Sequence, residues 1–140
     1  MSKLFDFDID EDKSRQQADE LLTQYWRLKH VVISTSSLRS PSYSHTPKSF
    51  SGDNAIENRV VKTIEARRTL ENINVALDQL ESVYSNLLKM CYLSIDRPTV
   101  IYMCHELELG ETSFRKYKKQ ALLEFAESYP SEGLLIFKKH

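Results

Sequence analysis

Apolar side chains recur at helical spacing along most of this chain, with charged and amide side chains between them. The stretch between residues 34 and 53 breaks the pattern: it is dominated by serine, threonine and proline, which is typical of a linker. The pattern predicts helices over residues 13–33, 54–80, 82–93, Thr99–Leu107 and Glu111–Tyr129. We therefore expect an all-α protein in which residues 81–140 form the last domain.

The first 33 residues contain two segments with different patterns of side chains. Residues 1–12, MSKLFDFDIDED, alternate apolar with acidic side chains, and we expect an acidic flexible tail there. Residues 13–33 contain the single tryptophan, Trp26, on a predicted amphipathic helix. That helix could pack on the rest of the chain or against a second subunit.

Residues 54–80 predict one long connecting helix, because neither glycine nor proline interrupts them. A long amphipathic helix can dock on the domain that follows it or build a homodimer, and the residues leave both possibilities open. Its apolar positions, which recur near the helical period, are Ile56, Val60, Ile64, Leu70, Ile73, Leu77 and Leu80.

The last two predicted helices are joined by only three residues, Glu108 to Gly110. Pro98 prevents the first of them from continuing upstream, and Thr99 is a favourable N-cap. The second predicted helix places apolar side chains at helical spacing, and its first turns contain cations. The inward positions would be Phe114, Tyr117, Ala121, Leu122 and Phe125. This is the pattern of a helix-turn-helix whose second helix enters the DNA major groove.

The outward side chains at the start of this second helix are the candidate DNA-binding residues. Arg115 can make a bidentate contact to guanine, and Lys116 can do so less specifically. We expect Lys118 and Lys119 to contact phosphates, which gives salt-dependent affinity rather than specificity. The full candidate set is Thr99, Thr112, Ser113, Arg115, Lys116, Lys118 and Lys119.

Charge and composition limit the other possibilities. The net charge of the 140 residues is −1, so any affinity for nucleic acid must come from a local cluster of cations. Cys91, Cys104 and His105 lack the paired spacing of zinc ligands, and the three glycines are too scattered for a phosphate-binding loop. No catalytic arrangement stands out, so we expect neither an enzyme nor a cofactor.

The chain has no run of 18 apolar residues and no charged-then-apolar leader. We therefore expect no membrane partner and a cytoplasmic location, with both cysteines as reduced, buried thiols.

Two resemblances extend this interpretation. Residues 70–129 resemble region 4 of sigma-70-type factors through LENINVALDQL, SNLLKMCYL, TVIYMCHELELG and ETSFRKYKKQALLEF. The whole chain is similar to the ArpU family of phage transcriptional regulators through LLTQYWRLKH, the Ser40–Glu57 linker and YKKQALLEFAESYPSEGLL. Such motifs usually have glycine where Glu108 stands and serine or threonine where Gly110 stands.

The resemblance implies a small sigma-like activator of late phage genes that binds double-stranded DNA at the nucleoid of a bacterial host and contacts RNA polymerase. It places Thr112, Ser113, Arg115 and Lys116 where the family has its recognition residues. Two alternatives remain. A small terminase-like packaging protein would combine such a motif with oligomerising helices, and an adaptor would act through Trp26 and the acidic tail.

Overall fold

Helices make up nearly all of the part of the chain that can be described. A computed structural model describes residues 9–38, 50–131, 134, 136 and 137, except for the side chains of 35–38 and 50–54. The helices are α1 (Glu11–Thr23), α2 (Tyr25–Leu38), α3 (Phe50–Asp78), α4 (Ser82–Leu88), a π-helical turn (Lys89–Leu93), α5 (Val100–Leu107) and α6 (Glu111–Ser128). These residues contain no β-strand, only an isolated antiparallel bridge between Ile9 and Phe137. The prediction of an all-α chain is confirmed for the described residues, which are predominantly helical.

Helix α6 lies at the centre of the first of two compact units. This unit contains α1, the end of α3 from Asn72, and the described residues that follow. Helices α1, α4 and α5 all contact α6. Removal of the apolar side chains of these helices from water stabilises the unit. Its most deeply buried large side chains are Leu22, Ile73, Leu77, Leu87, Leu88 and Phe125.

The end of the chain fastens α1 to this unit. Ser14 is fully buried in the first turns of α1. Its hydroxyl accepts a hydrogen bond from the amide of Ile136 at 2.8 Å and donates one to the Ile136 carbonyl oxygen at 3.3 Å. The Asp10 amide donates to the same carbonyl oxygen at 2.8 Å. One serine thus bonds both backbone groups of Ile136, which links the end of the described chain to α1.

The single helix expected over residues 13–33 is instead two helices, which meet at Gln24. The hydroxyl of Thr23, the last residue of α1, donates to the Asp19 carbonyl oxygen at 2.7 Å. Helix α1 belongs to the first unit, whereas α2 belongs to the second, residues 24–71.

Helical structure also extends into both ends of the range expected to be a linker. Helix α2 continues to Leu38 and α3 begins at Phe50. The rest of that range, residues 39–49, and residues 1–8 of the acidic tail lie outside the described residues. The last part of the tail range is ordered, since Glu11 and Asp12 begin α1.

Helix α3 is continuous over 29 residues, but its expected apolar positions do not share one environment. Ile73 and Leu77 are buried, whereas Ile56, Val60 and Ile64 are exposed. Positions four residues apart advance by about 40° around a helix, so the early apolar positions turn away from the face that Ile73 and Leu77 occupy. The buried side chains of the second unit on α3 are instead Thr63 and Ala66.

The connection between α5 and α6 turns at Glu108. Its φ of 57° and ψ of 44° lie in the left-handed region, where a residue with a Cβ is strained and glycine is not. Gly110, in contrast, has φ −74° and ψ 166°, a conformation open to any residue. Gly110 therefore lies two residues beyond Glu108, the position whose left-handed backbone favours glycine.

Replacement of Glu108 by glycine is expected to stabilise the fold by about 1 kcal/mol, because it relieves a left-handed conformation. Urea denaturation followed by far-UV circular dichroism measures the change. Glu106→Gly is the matched control: Glu106 is an exposed helical residue of α5, and glycine should destabilise there by about 1 kcal/mol. The same sign of change for both variants would show that the Glu108 backbone is not strained.

Candidate nucleic-acid interface

The start of α6 is fixed by backbone bonds from the preceding turn. The Phe114 amide donates to the Gly110 carbonyl oxygen at 2.8 Å, and the Leu109 amide to the Cys104 carbonyl oxygen at 2.9 Å. Phe114 is buried, so it fixes the rotation of the first turns. The neighbouring outward side chains are therefore held at defined positions on the surface.

Four of the seven predicted DNA-binding residues lie together. The side chains of Thr112, Arg115, Lys116 and Lys119 line one open surface depression on α6, and all four residues are exposed. Positions 112, 115, 116 and 119 follow the spacing of a single helix face. A face with three cations and one hydroxyl has the donors that contacts to phosphates and to guanine edges need.

Sequence reasoning missed one cation at this surface. Arg15 of α1 lines an adjoining depression together with Lys116 and Lys119, and with Tyr84, Tyr117 and Gln120. Helix α1 packs along α6, which brings residues about a hundred positions apart into one patch. No local pattern around Arg15 signals this role, because the residue looks like an ordinary cation on an amphipathic helix. We call Arg15, Thr112, Arg115, Lys116 and Lys119 the basic face.

Three other predicted residues lie apart from the basic face. The Lys118 ammonium sits 5.4 Å from the centroid of the Tyr92 ring, on another side of α6. Ser113 is exposed in the first turn but does not line the depression. Thr99 caps α5, where its side-chain oxygen accepts from the Tyr102 amide at 3.1 Å. The N-cap expected at Thr99 is confirmed.

The contact between Lys118 and Tyr92 belongs to a connection between α1 and the π-helical turn. The Tyr92 hydroxyl donates a hydrogen bond to the Asp19 carboxylate of α1. Burial, followed by the bond to Asp19, raises the pKa of Tyr92 well above its ordinary value, so the hydroxyl stays protonated and remains a donor. This bond fixes the helix that carries Arg15 relative to the π-helical turn.

The basic face is partly neutralised by its own acidic neighbours. Arg115 forms an ion pair with Glu111 at 3.2 Å, and Arg15 pairs with Glu11 at 3.7 Å and with Asp12. Lys116 and Lys119 form no ion pair with any described residue. Both partners of the Arg115–Glu111 pair are well exposed, at 73% and 63%, so this pair is weak and open to exchange.

The two cysteines, Cys91 and Cys104, lie in the described part of the chain. Both are free and half-buried rather than fully buried, and burial raises the pKa of the Cys91 thiol. A thiol with a raised pKa stays protonated near neutral pH and is a poor nucleophile and metal ligand. Among the described residues no three His, Cys, Asp or Glu side chains are grouped to hold a metal ion.

If the basic face binds duplex DNA, Glu111→Gln should tighten that binding about threefold, because it frees Arg115 and removes a negative charge that would repel phosphates. Fluorescence anisotropy with a labelled duplex at two salt concentrations measures this, and the gain should shrink at the higher one. Glu20→Gln, at an exposed glutamate of α1, makes the same change in net charge and should have little effect. Weaker binding by Glu111→Gln would mean that the carboxylate itself contacts a base.

A comparison with known proteins found a relative that is similar along almost the whole chain. Over 132 residues the chain is 24% identical to a protein of Enterococcus hirae described as "Putative autolysin regulatory protein ArpU". The alignment covers 94% of this chain and 96% of that protein. No protein-family model matches the chain, and no solved structure matches it. No described helix has the length and apolar content that a membrane span requires.

Proposed function

We propose that this protein is a non-catalytic transcriptional regulator that binds double-stranded DNA in a sequence-specific manner. Helices α5 and α6 form a helix-turn-helix, and the first turns of α6 enter the major groove. The observation that carries this proposal is the basic face, where Thr112, Arg115, Lys116 and Lys119 share one open depression. The similarity to a regulatory protein along almost the whole chain supports the same role.

The residues of the basic face have different roles in the proposed recognition of DNA. Arg115 has a planar guanidinium suited to the two acceptors of guanine, and its weak pair with Glu111 is exchanged for those acceptors when DNA binds. Lys116 lies beside it as a second base contact. Lys119 and Arg15 attract phosphates on either side, so binding becomes weaker as salt concentration rises.

The resemblance to sigma region 4 and the ArpU family extends the proposal to the process. We propose that the protein activates late phage genes in the bacterial cytoplasm and that it contacts the host RNA polymerase. The uneven charge distribution is consistent with this role, because a chain of net charge −1 avoids indiscriminate DNA binding while its basic face retains local affinity.

The test is selection of bound duplexes from a random DNA library at near-physiological salt, with the full chain as bait, followed by sequencing. A parallel selection includes bacterial RNA polymerase, so that a factor which reads DNA only on polymerase is also detected. We expect one enriched motif. Salt-sensitive binding without enrichment in both selections would overturn the proposal of sequence-specific regulation.

A small terminase-like packaging protein is the second candidate, and the exposed apolar side chains of α3 favour it because assembly proteins bury such faces between subunits. Stoichiometry separates the two. A ring of many subunits indicates packaging, whereas a monomer or dimer indicates a regulator.

A further inference from the structure

Helix α3 has apolar side chains on two opposite faces, and only one face is covered. Ala66, Ile73 and Leu77 are buried on one side. On the other side Val61 and Ile64 are each 52% exposed, although valine and isoleucine are usually buried. At 3.6 residues per turn the two groups point about 180° apart. The second face therefore has no partner within the described part of the chain.

Charged side chains of opposite sign flank the exposed pair. Glu57 lies four residues before Val61, and Arg68 lies four residues after Ile64, so all four share one side of α3. Glu57 and Arg68 are exposed and form no ion pair with any described residue. We call Glu57, Val61, Ile64 and Arg68 the seam.

The spacing of the four seam residues is the same from either end of the seam. Successive members are four, three and four residues apart. A two-fold axis between residues 62 and 63 therefore brings Val61 onto Ile64 of a second copy, and it brings Glu57 onto Arg68 of that copy. Such an isologous contact satisfies both copies at once, as a symmetric dimer requires.

We propose that α3 pairs with α3 of a second copy of this chain in antiparallel orientation along the seam. Val61 and Ile64 of each copy pack against those of the other copy. Glu57 of each copy forms an ion pair with Arg68 of the other. Helices that pack through a repeat of four and three residues place such side chains along one contact line.

Charge favours the antiparallel arrangement over the parallel one. In a parallel dimer in register, Glu57 would face Glu57 and Arg68 would face Arg68, so like charges would meet at both ends of the apolar centre. The antiparallel arrangement replaces both repulsions by attractions. The proposed partner is therefore a second copy in the antiparallel direction.

The seam is short. From Glu57 to Arg68 it covers 12 residues, about 18 Å of helix at 1.5 Å per residue. Contacts of this size are at the small end of specific interfaces. We therefore expect a dimer that dissociates as the full chain is diluted through concentrations on the order of micromolar.

Sedimentation velocity of the full chain over a concentration series, without DNA, tests the proposal. Glu57→Arg and Arg68→Glu should each weaken self-association at least about tenfold, because each places like charges at both ends of the seam. The double variant E57R/R68E restores opposite charges and should return to within about threefold of the unchanged chain. Arg59→Glu, an exposed charge reversal of α3 outside the seam, is the control and should leave the dimer intact.

The proposal is overturned if the chain stays monomeric at high concentration or if the single variants dimerise normally. It is also overturned if the double variant does not recover self-association, or if the control variant associates as weakly as the single variants. A larger ring that is insensitive to these changes would also show that another surface assembles the protein. Far-UV circular dichroism of each variant shows that the helices are retained. Since no DNA is present, the result is independent of the proposed DNA binding.

Discussion

Replacing Arg115 and Lys116 together by alanine is expected to reduce affinity for the selected duplex by about 100-fold or more. Loss of a bidentate base contact costs about 1–3 kcal/mol, and loss of a second cation beside the phosphates adds to it. Both side chains are exposed, so far-UV circular dichroism should show unchanged helicity. Fluorescence anisotropy with the selected duplex and with a scrambled one measures the loss of specificity.

The chain offers a matched control for this change. Arg59 and Lys62 are also one arginine and one lysine, both exposed, on α3 in the second unit. R59A/K62A removes the same charge and should keep specific affinity within about threefold, because these residues lie outside the basic face. Unchanged specific affinity of R115A/K116A would show that the reading surface is not the start of α6.

Phe125→Ala is expected to destabilise the first unit by about 3–5 kcal/mol, which is a large share of the stability of a small domain. Phe125 is fully buried on α6, and its ring lies 5.8 Å from that of Tyr129. Truncation therefore leaves a cavity in the core that holds α6 in place. Chemical denaturation followed by circular dichroism measures the change in the free energy of unfolding.

The control for this truncation is Phe137→Ala. Phe137 is 52% exposed, so removal of its ring should cost about 1 kcal/mol or less. If Phe125→Ala is too unstable to purify, Phe125→Leu should still fold with a loss of about 1 kcal/mol. Equal effects at positions 125 and 137 would contradict the assignment of Phe125 to the centre of the core.

These two predictions concern opposite faces of one helix. Phe114, Ala121, Leu122 and Phe125 are buried, and the packing of α6 on α1, α4 and α5 leaves Arg115, Lys116 and Lys119 exposed. A core variant should therefore lose DNA binding only together with stability, whereas a variant of the basic face should lose binding alone. The pair of measurements separates recognition from folding.

Much of α6 could be predicted from the sequence because its signals are local. The 3.6-residue period of Phe114, Ala121, Leu122 and Phe125 gives the inward face, and these residues are buried. The outward face follows from the same period. All four residues that line the depression were therefore predicted to share one helix face. Three of them are the cations Arg115, Lys116 and Lys119, and the fourth is Thr112.

The same reasoning from sequence patterns failed to predict burial and helix ends where contacts with other segments determine them. Ile56, Val60 and Ile64 continue the apolar pattern of α3 but are exposed, since burial depends on what packs against a helix as well as on its own period. The interruption at Gln24 was also missed, because neither glycine nor proline marks it in the sequence.

The sequence by itself determined the helical class of this protein, the start of α6 and the cations that the start carries, because periodicity, capping and charge act between residues a few positions apart. Only the tertiary structure decided that Arg15 joins Lys116 and Lys119, that Ser14 fastens the end of the chain, and that Val61 and Ile64 remain uncovered. The physical reason is that these outcomes depend on contacts between distant segments, which each helix's own pattern leaves unspecified.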